Sequence, residues 1–301
     1  MRSAYLLVSH GSRDPRPQVA MERLAWLLQG SREQGAGSRE TRESGEKILR
    51  VSSHTSHTSH TTHHDAANIG AAPMRGKPAL PPAASPRTTY SRLPTPDSLS
   101  PLIGTACLEL SQKPLHQQIV EFSDRALSCG YQQVQIVPLF LLPGVHVMED
   151  IPAEVEQARQ ALKVRVKLEL RPHLGSHAGL ARLLKQQLDR TQAEKTILLA
   201  HGSRRADSEH PVEAIAQQIG AVTAYWLVAP NLDARVQELA LAGWRRIAIV
   251  PYFLFAGGIT DAIAEVVGQL QQQFPAIEFC LMQPLGATQE LAELIWDLIE
   301  T

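Results

Sequence analysis

Two stretches decide the fold: residues 5–16 read YLLVSHGSRDPR, and residues 197–205 read ILLAHGSRR. In each, a short apolar run ends at a His-Gly pair, which is typical of a buried parallel strand that delivers a side chain to the carboxyl edge of its sheet. Ligands of open α/β sheets bind in the crevice at that edge. Because the pattern occurs twice with the same flanks, His10 and His201 are candidates for a functional site rather than isolated structural histidines.

The repetition extends well beyond this motif. VQIVPLFLLPG (134–144) matches IAIVPYFLFAG (247–257), and the strand-helix pattern of 166–188 matches that of 277–299. The first half alternates strand-type and helix-type patterns four times, which predicts a parallel sheet, and the three matched segments follow in the same order in the second half. We therefore predict two tandem, duplicated, doubly wound parallel-sheet domains that face a cleft, with the first at 1–190 and the second at 191–301.

One segment breaks the duplication. From about residue 30 to residue 100, Gly, Ser, Thr, Pro and Arg dominate and the apolar periodicity is lost. Such a composition buries too little apolar surface to offset its ordering entropy, so we predict a disordered insertion in the first half. Its repeat SHTSHTSHTTHH (53–64) carries five histidines, which either bind metal weakly or have no role.

The bulk composition excludes several classes of protein. A formal net charge of −1 over 301 residues gives no basic field, so nucleic acid is not an expected partner. No apolar run approaches the roughly 20 residues that span a bilayer. Three cysteines without a CxxC pair argue against a disulfide framework and a thiolate zinc site. We expect a cytoplasmic protein without membrane partners.

Three residues of the first half are expected to meet at one sheet edge. His10 follows the first strand, Glu109 ends the second, predicted at 102–110, and His146 lies just past the third, predicted at 134–142. Two imidazoles and a carboxylate suit a divalent first-row metal and leave positions open for water or substrate. The alternative is that each residue is an ordinary polar group at the end of a strand.

The second half keeps only one member of this set. Counting from Pro138 and from Pro251 makes Ile259 the equivalent of His146, and the chain reads Tyr225-Trp226 near the equivalent of Glu109. His201 alone is retained. We therefore predict a single metal site in the first half, with the second half serving as a wall or lid.

The motifs HGSRD, LEL around Glu109, VPLFLLPGVHVMEDIP and PYFLFAGG resemble those of the sirohydrochlorin chelatases, the class II chelatases, in their long two-repeat form. The resemblance covers everything except the insertion. It implies insertion of Co²⁺ or Fe²⁺ into sirohydrochlorin for cobalamin or siroheme biosynthesis, with the metal as substrate and no tightly bound cofactor. It also implies that His10, His146 and Glu109 are the metal and catalytic residues, although one extra residue separates Glu109 from Pro114 relative to the family spacing.

The resemblance further implies a tetrapyrrole partner with many rim carboxylates, which guanidinium groups and helix N-termini would bind. The predicted substrate-binding residues all lie at or just past the two HGS turns: Ser12, Arg13, Arg16, His201, Ser203 and Arg204, with Arg205 beside them.

Two other functions remain open from the residues alone. A phosphohistidine-type phosphatase also places His-Gly after an early strand, but it needs an arginine directly before the histidine, where this chain has Ser9 and Ala200. A non-catalytic metal-binding protein or metallochaperone would use the same cleft and the His-rich segment without a macrocycle. The arginines beside the cleft favour the chelatase.

Overall fold

A computed structural model of the protein describes residues 2–37, 101–203 and 210–300. The first half contains four strands that alternate with four helices. They are β1 (Ser3–Ser9), α1 (Pro15–Gly37), β2 (Ile103–Cys107), α2 (Leu115–Ser128), β3 (Gln133–Pro138), α3 (Ile151–Leu162), β4 (Lys167–Leu170) and α4 (Gly179–Leu188). A π-helical turn at His146–Asp150 precedes α3, and a 3₁₀ turn at Leu174–Ser176 precedes α4.

The second half repeats this order. Its elements are β5 (Lys195–Ala200), α5 (His210–Ile219), β6 (Ala221–Tyr225), α6 (Leu232–Leu241), β7 (Arg246–Pro251), α7 (Gly258–Gln273), β8 (Glu278–Leu281) and α8 (Gln289–Glu300). Both sheets are wholly parallel, with strand orders β2-β1-β3-β4 and β6-β5-β7-β8. The predicted fold class, a duplicated pair of doubly wound parallel sheets, is confirmed.

Each sheet is covered on both faces because its central strands are apolar on both sides. Alternate residues of a strand point to opposite faces. In β1, Leu6 packs with α2 and α3, whereas Leu7 packs with α1 and α4. In the second half, α6 and α7 cover the outer face of the sheet in the same way.

The inner helices of the two halves share one hydrophobic core. α1 packs against α8, α4 packs against α5, and α4 also packs against α8. Because α5 and α8 are the counterparts of α1 and α4, these contacts are related by the duplication itself. Residues of both central strands, among them Leu7 and Leu198, are fully buried in this common core.

Several predicted boundaries require correction. α1 does not end near residue 30 but continues to Gly37. β2 ends at Cys107, level with the end of β1. β3 ends at Pro138, whose ring nitrogen cannot donate a ladder hydrogen bond. The rest of the predicted insertion, including its histidines, lies outside the described residues.

Two further predictions concern disulfides and membrane spans. All three cysteines are free. Among the helices of the described ranges, none combines the length and the apolar content that a membrane span requires.

Candidate metal centre

The turn after β1 brings His10 against the backbone of Glu109. Gly11 has φ +98°, and a Cβ at this position would lie 2.1 Å from the carbonyl oxygen of Glu109. Only glycine therefore allows the two segments to approach so closely. The Glu109 N–H donates to the His10 carbonyl at 2.9 Å, which continues the parallel pairing past the end of both strands. The His-Gly motif thus sets the side chain of His10 beside that of Glu109.

His146 reaches the same edge from the π-helical turn. The Ile151 N–H donates to the His146 carbonyl, five residues back. A π-turn holds one residue more than an α-turn, and such turns are frequent at functional sites. The second half lacks this extra residue. Pro138 matches Pro251 at the ends of the two strands, and the buried Ile151 and Val155 match the buried Ile263 and Val267 in the helices that follow. The distance along the chain from the proline to these helix residues is one residue shorter in the second half.

The structure brings the three predicted ligands together. The two oxygens of Glu109 face the two imidazoles, with Oε2 at 3.8 Å from His10 Nε2 and Oε1 at 3.9 Å from His146 Nε2. The two rings stand edge to face with centroids 4.8 Å apart. One ligand atom from each residue lies within 4.8 Å of the others. These gaps are too long for hydrogen bonds and close to twice a metal–ligand bond of about 2.0–2.2 Å.

The hydrogen bonds of the two rings determine which nitrogen faces the gap. His10 Nδ1 contacts the carbonyl of Gly11 at 3.3 Å, and His146 Nδ1 contacts the Asp150 carboxylate at 2.7 Å. Both partners only accept hydrogen bonds, so Nδ1 is the donor in each ring, and the free lone pair of a neutral ring would be that of Nε2, which faces the gap. Half of the Glu109 side chain is exposed, so a bound ion would keep positions open for exchange.

The second half preserves the backbone of this site but keeps only one of the three candidate ligands, His201. The Leu227 N–H donates to the His201 carbonyl at 3.0 Å, as Glu109 does to His10. Leu227, one residue past the predicted Tyr225-Trp226, is therefore the counterpart of Glu109. The counterpart of His146 is Ile259 when counted from the strand and Gly258 when counted from the helix, so neither residue is a ligand. His201 Nδ1 contacts its own Gly202 carbonyl at 3.1 Å, as in His10.

Apart from His201 and Arg16, the predicted substrate-binding residues fall into three groups. The exposed Arg13 makes no hydrogen bond or ion pair with any other described residue. The Ser12 hydroxyl accepts from the Asp14 N–H at 3.0 Å, and Ser203 lies half-buried after Gly202. Arg204 and Arg205 lie outside the described residues.

Arg16 is not free to bind substrate, because its guanidinium links the two halves. It donates to both oxygens of Asp14, which caps α1 through the Arg16 N–H, and to both oxygens of Asp261 at the start of α7. Asp14 and Pro17 also approach Gly257, before α7. Hydrogen bonds from Arg16 hold the pKa of Asp14 and of Asp261 below the ordinary carboxyl value. The turn that carries His10 is thereby tied to the second half.

The sequence analysis missed Asp150 and Phe140. Asp150 follows His146 by four residues, a helical spacing that is visible in the sequence. The Phe140 ring lies beside both imidazoles, with centroids 6.4 Å from His10 and 6.2 Å from His146. The pairing of Arg16 with Asp261 has no sequence signal, since 245 positions separate them.

Comparison with known proteins identifies one matching family. The sequence model of the CbiX family matches residues 95–191 and 195–301, one match in each half of the chain, and the chain belongs to this family. The first match begins after the HGS turn, so His10 lies outside it.

Curated relatives and solved structures agree with this match. A sirohydrochlorin cobaltochelatase of Priestia megaterium is 28% identical over 215 residues, which is 66% of this chain and 69% of the relative. A sirohydrochlorin ferrochelatase of the same organism is 25% identical over 214 residues, 67% of this chain and 78% of the relative. The structure of SirB from Bacillus subtilis with Fe³⁺ covers all of this chain and 95% of its own, with a TM-score of 0.62 at 18% identity, and therefore supports the fold.

Proposed function

Because the chain belongs to the CbiX family, we propose that it is a sirohydrochlorin chelatase that inserts Co²⁺ or Fe²⁺ into the macrocycle. The curated relatives have the two corresponding activities. One observation of the structure carries the proposal, namely the cluster of the exposed His10 and Glu109 with the half-buried His146 at the carboxyl edge of the first sheet. The family also argues against a phosphohistidine-type phosphatase.

The reaction exchanges one divalent metal for two pyrrole N–H protons, so the site must hold the metal loosely and release it. Two neutral imidazoles and one carboxylate bind a divalent ion while leaving open positions. Macrocycle nitrogens would replace water and then protein ligands stepwise. As the metal leaves, the freed ligands can accept the two protons, one on the carboxylate of Glu109 and one on an imidazole of His10 or His146, which makes these residues the proposed bases.

The same edge offers contacts for a polyanionic substrate. Arg13 is the best-placed guanidinium for the rim carboxylates, because it is exposed and has no partner among the described residues. Ser12, Ser203, His201 and Arg204 remain proposed contacts, whereas Arg16 would first have to leave two carboxylates. The three free cysteines fit a reducing cytoplasm, which we propose as the compartment.

The test is anaerobic metal insertion into sirohydrochlorin, followed by the change in the visible absorption of the macrocycle, with Co²⁺ and Fe²⁺ compared. We expect turnover with at least one metal and its loss in His146→Ala. Ile259→Ala is the matched control, because Ile259 occupies the counterpart position in the second half. Stoichiometric metal binding without turnover would instead favour a non-catalytic metal-binding protein.

A further inference from the structure

One hydrogen bond at the site has no counterpart in the second half. The Asp150 carboxylate accepts from His146 Nδ1 at 2.7 Å, and the two residues are the ends of the π-helical turn. Both counterparts of Asp150, Ala262 counted from the helix and Ile263 counted from the strand, are apolar. The imidazole and its acidic partner are therefore absent together from the half that lacks the metal cluster.

This bond decides how the His146 ring is presented. Without a partner on Nδ1, a neutral imidazole can carry its proton on either nitrogen and can rotate its ring by half a turn. A carboxylate on Nδ1 fixes the tautomer and the rotation, and it raises the basicity of the opposite nitrogen. That nitrogen, Nε2, points at Glu109 Oε1 at 3.9 Å.

The other imidazole of the cluster is held differently. His10 Nδ1 contacts a neutral carbonyl, that of the adjacent Gly11, at the longer distance of 3.3 Å. A hydrogen bond to a carboxylate is shorter and roughly twice as strong as a bond between neutral groups. His146 is consequently the more firmly oriented of the two.

We propose that Asp150 is a positioning residue, which holds the His146 ring so that Nε2 meets the metal before transfer to the macrocycle. This inference rests on the proposed function only for the identity of the metal site. Asp150 itself does not touch the ion. Its effect is on metal affinity, through the orientation and basicity of His146.

The experiment is a titration of the full chain with Co²⁺ alone, followed by the visible absorption of the bound ion. The signal is taken as the difference from the His146→Ala chain, so that Co²⁺ bound elsewhere, including at 53–64, cancels. Asp150→Ala should raise the Kd for Co²⁺ about 10- to 100-fold. Asp150→Asn should stay within a few-fold of the unaltered chain, because its amide oxygen still accepts from Nδ1. Glu149→Ala is the control: it removes the same charge from the neighbouring exposed residue, which contacts no other described side chain by hydrogen bond or ion pair.

The outcomes separate the two proposals. If Asp150→Ala binds Co²⁺ as tightly as Glu149→Ala does, the positioning role of Asp150 is wrong although the site stands. Asp150→Asn as weak as Asp150→Ala would also overturn it, since orientation by a hydrogen bond would then contribute nothing. If the unaltered chain shows no difference from His146→Ala, it binds no metal at this cluster, and both proposals are wrong. Tight, Asp150-dependent binding without insertion would overturn the chelatase function alone.

Discussion

Two histidines of this protein have the same local structure and different surroundings. His10 and His201 both follow a central strand, both precede a left-handed glycine, and both direct Nδ1 at the carbonyl of that glycine. They differ in the neighbour across the sheet edge, which is Glu109 for one and Leu227 for the other. Any difference in the effect of substituting them therefore comes from the neighbours of each histidine and not from the local backbone.

This pair provides the residue-scale prediction. His10→Ala should reduce metal insertion at least 100-fold, because it removes one of the three proposed ligands, whereas His201→Ala should reduce it less than 10-fold through the proposed contact with substrate. Steady-state rates at saturating and limiting Co²⁺ would measure both. Equal and complete loss in the two variants would contradict a single metal site in the first half.

At the scale of single elements, the π-helical turn is the element of the first half that has no counterpart in the second half. Deletion of Met148 would remove the extra residue and let the turn continue as an α-helix into α3, as in the second half. The Met148 side chain is exposed, so the melting temperature should fall by only a few degrees. Metal insertion should fall more than 10-fold, because His146 turns away from Glu109. Met148→Ala, which keeps the chain length, should leave the rate near that of the unaltered chain, and a normal rate in the deletion would refute the role of the turn.

How far the sequence predicts each element depends on the range of the interactions that form it. Strands such as β1 and β3 and helices such as α2 follow from periodicity, and the convergence of His10, Glu109 and His146 follows from parallel strands that end at one edge. The π-turn was missed because a one-residue offset shows only when the buried positions of both halves are known. The Arg16–Asp261 pair was missed because it joins segments that only the tertiary fold brings together.

The whole molecule is two sheets around one shared core, interrupted by a segment that the second half does without. Residues 29–102 stand where the second half has Gly220 alone between Ile219 and Ala221. Replacing residues 38–100 by six Gly/Ser residues, which span up to about 20 Å, should leave the melting temperature and the maximal rate unchanged.

A second measurement makes this replacement decisive. Loss of cooperative unfolding would show that the segment supports the core. A rate that falls only at limiting metal would instead assign the five histidines of 53–64 to metal supply. Thermal unfolding by circular dichroism and rates over a range of Co²⁺ concentrations distinguish the two outcomes.

The ion pairs of Arg16 with Asp14 and Asp261 should make the stability of the folded protein depend on pH in a defined way. Both carboxyl pKa values are lowered in the folded state, so the stabilisation is present above the unfolded carboxyl pKa and is lost as the pH falls through the lowered values. Asp261→Asn should therefore lower the melting temperature near neutral pH, with the difference shrinking in acid. Glu265→Gln, on the exposed face of the same helix, should show no such trend, and a difference for Asp261→Asn that grows in acid would contradict the assignment.

The common core formed by the inner helices allows the energetic cost of the same cavity to be compared at two equivalent positions of one molecule. Leu7 and Leu198 are counterparts on the central strands, both inaccessible to solvent and both part of that core. Leu7→Ala and Leu198→Ala each remove the same atoms from matched surroundings, with a cost of about 2–5 kcal/mol. Since one molecule contains both sites, unequal costs would measure how differently two copies of one architecture relax around the same cavity.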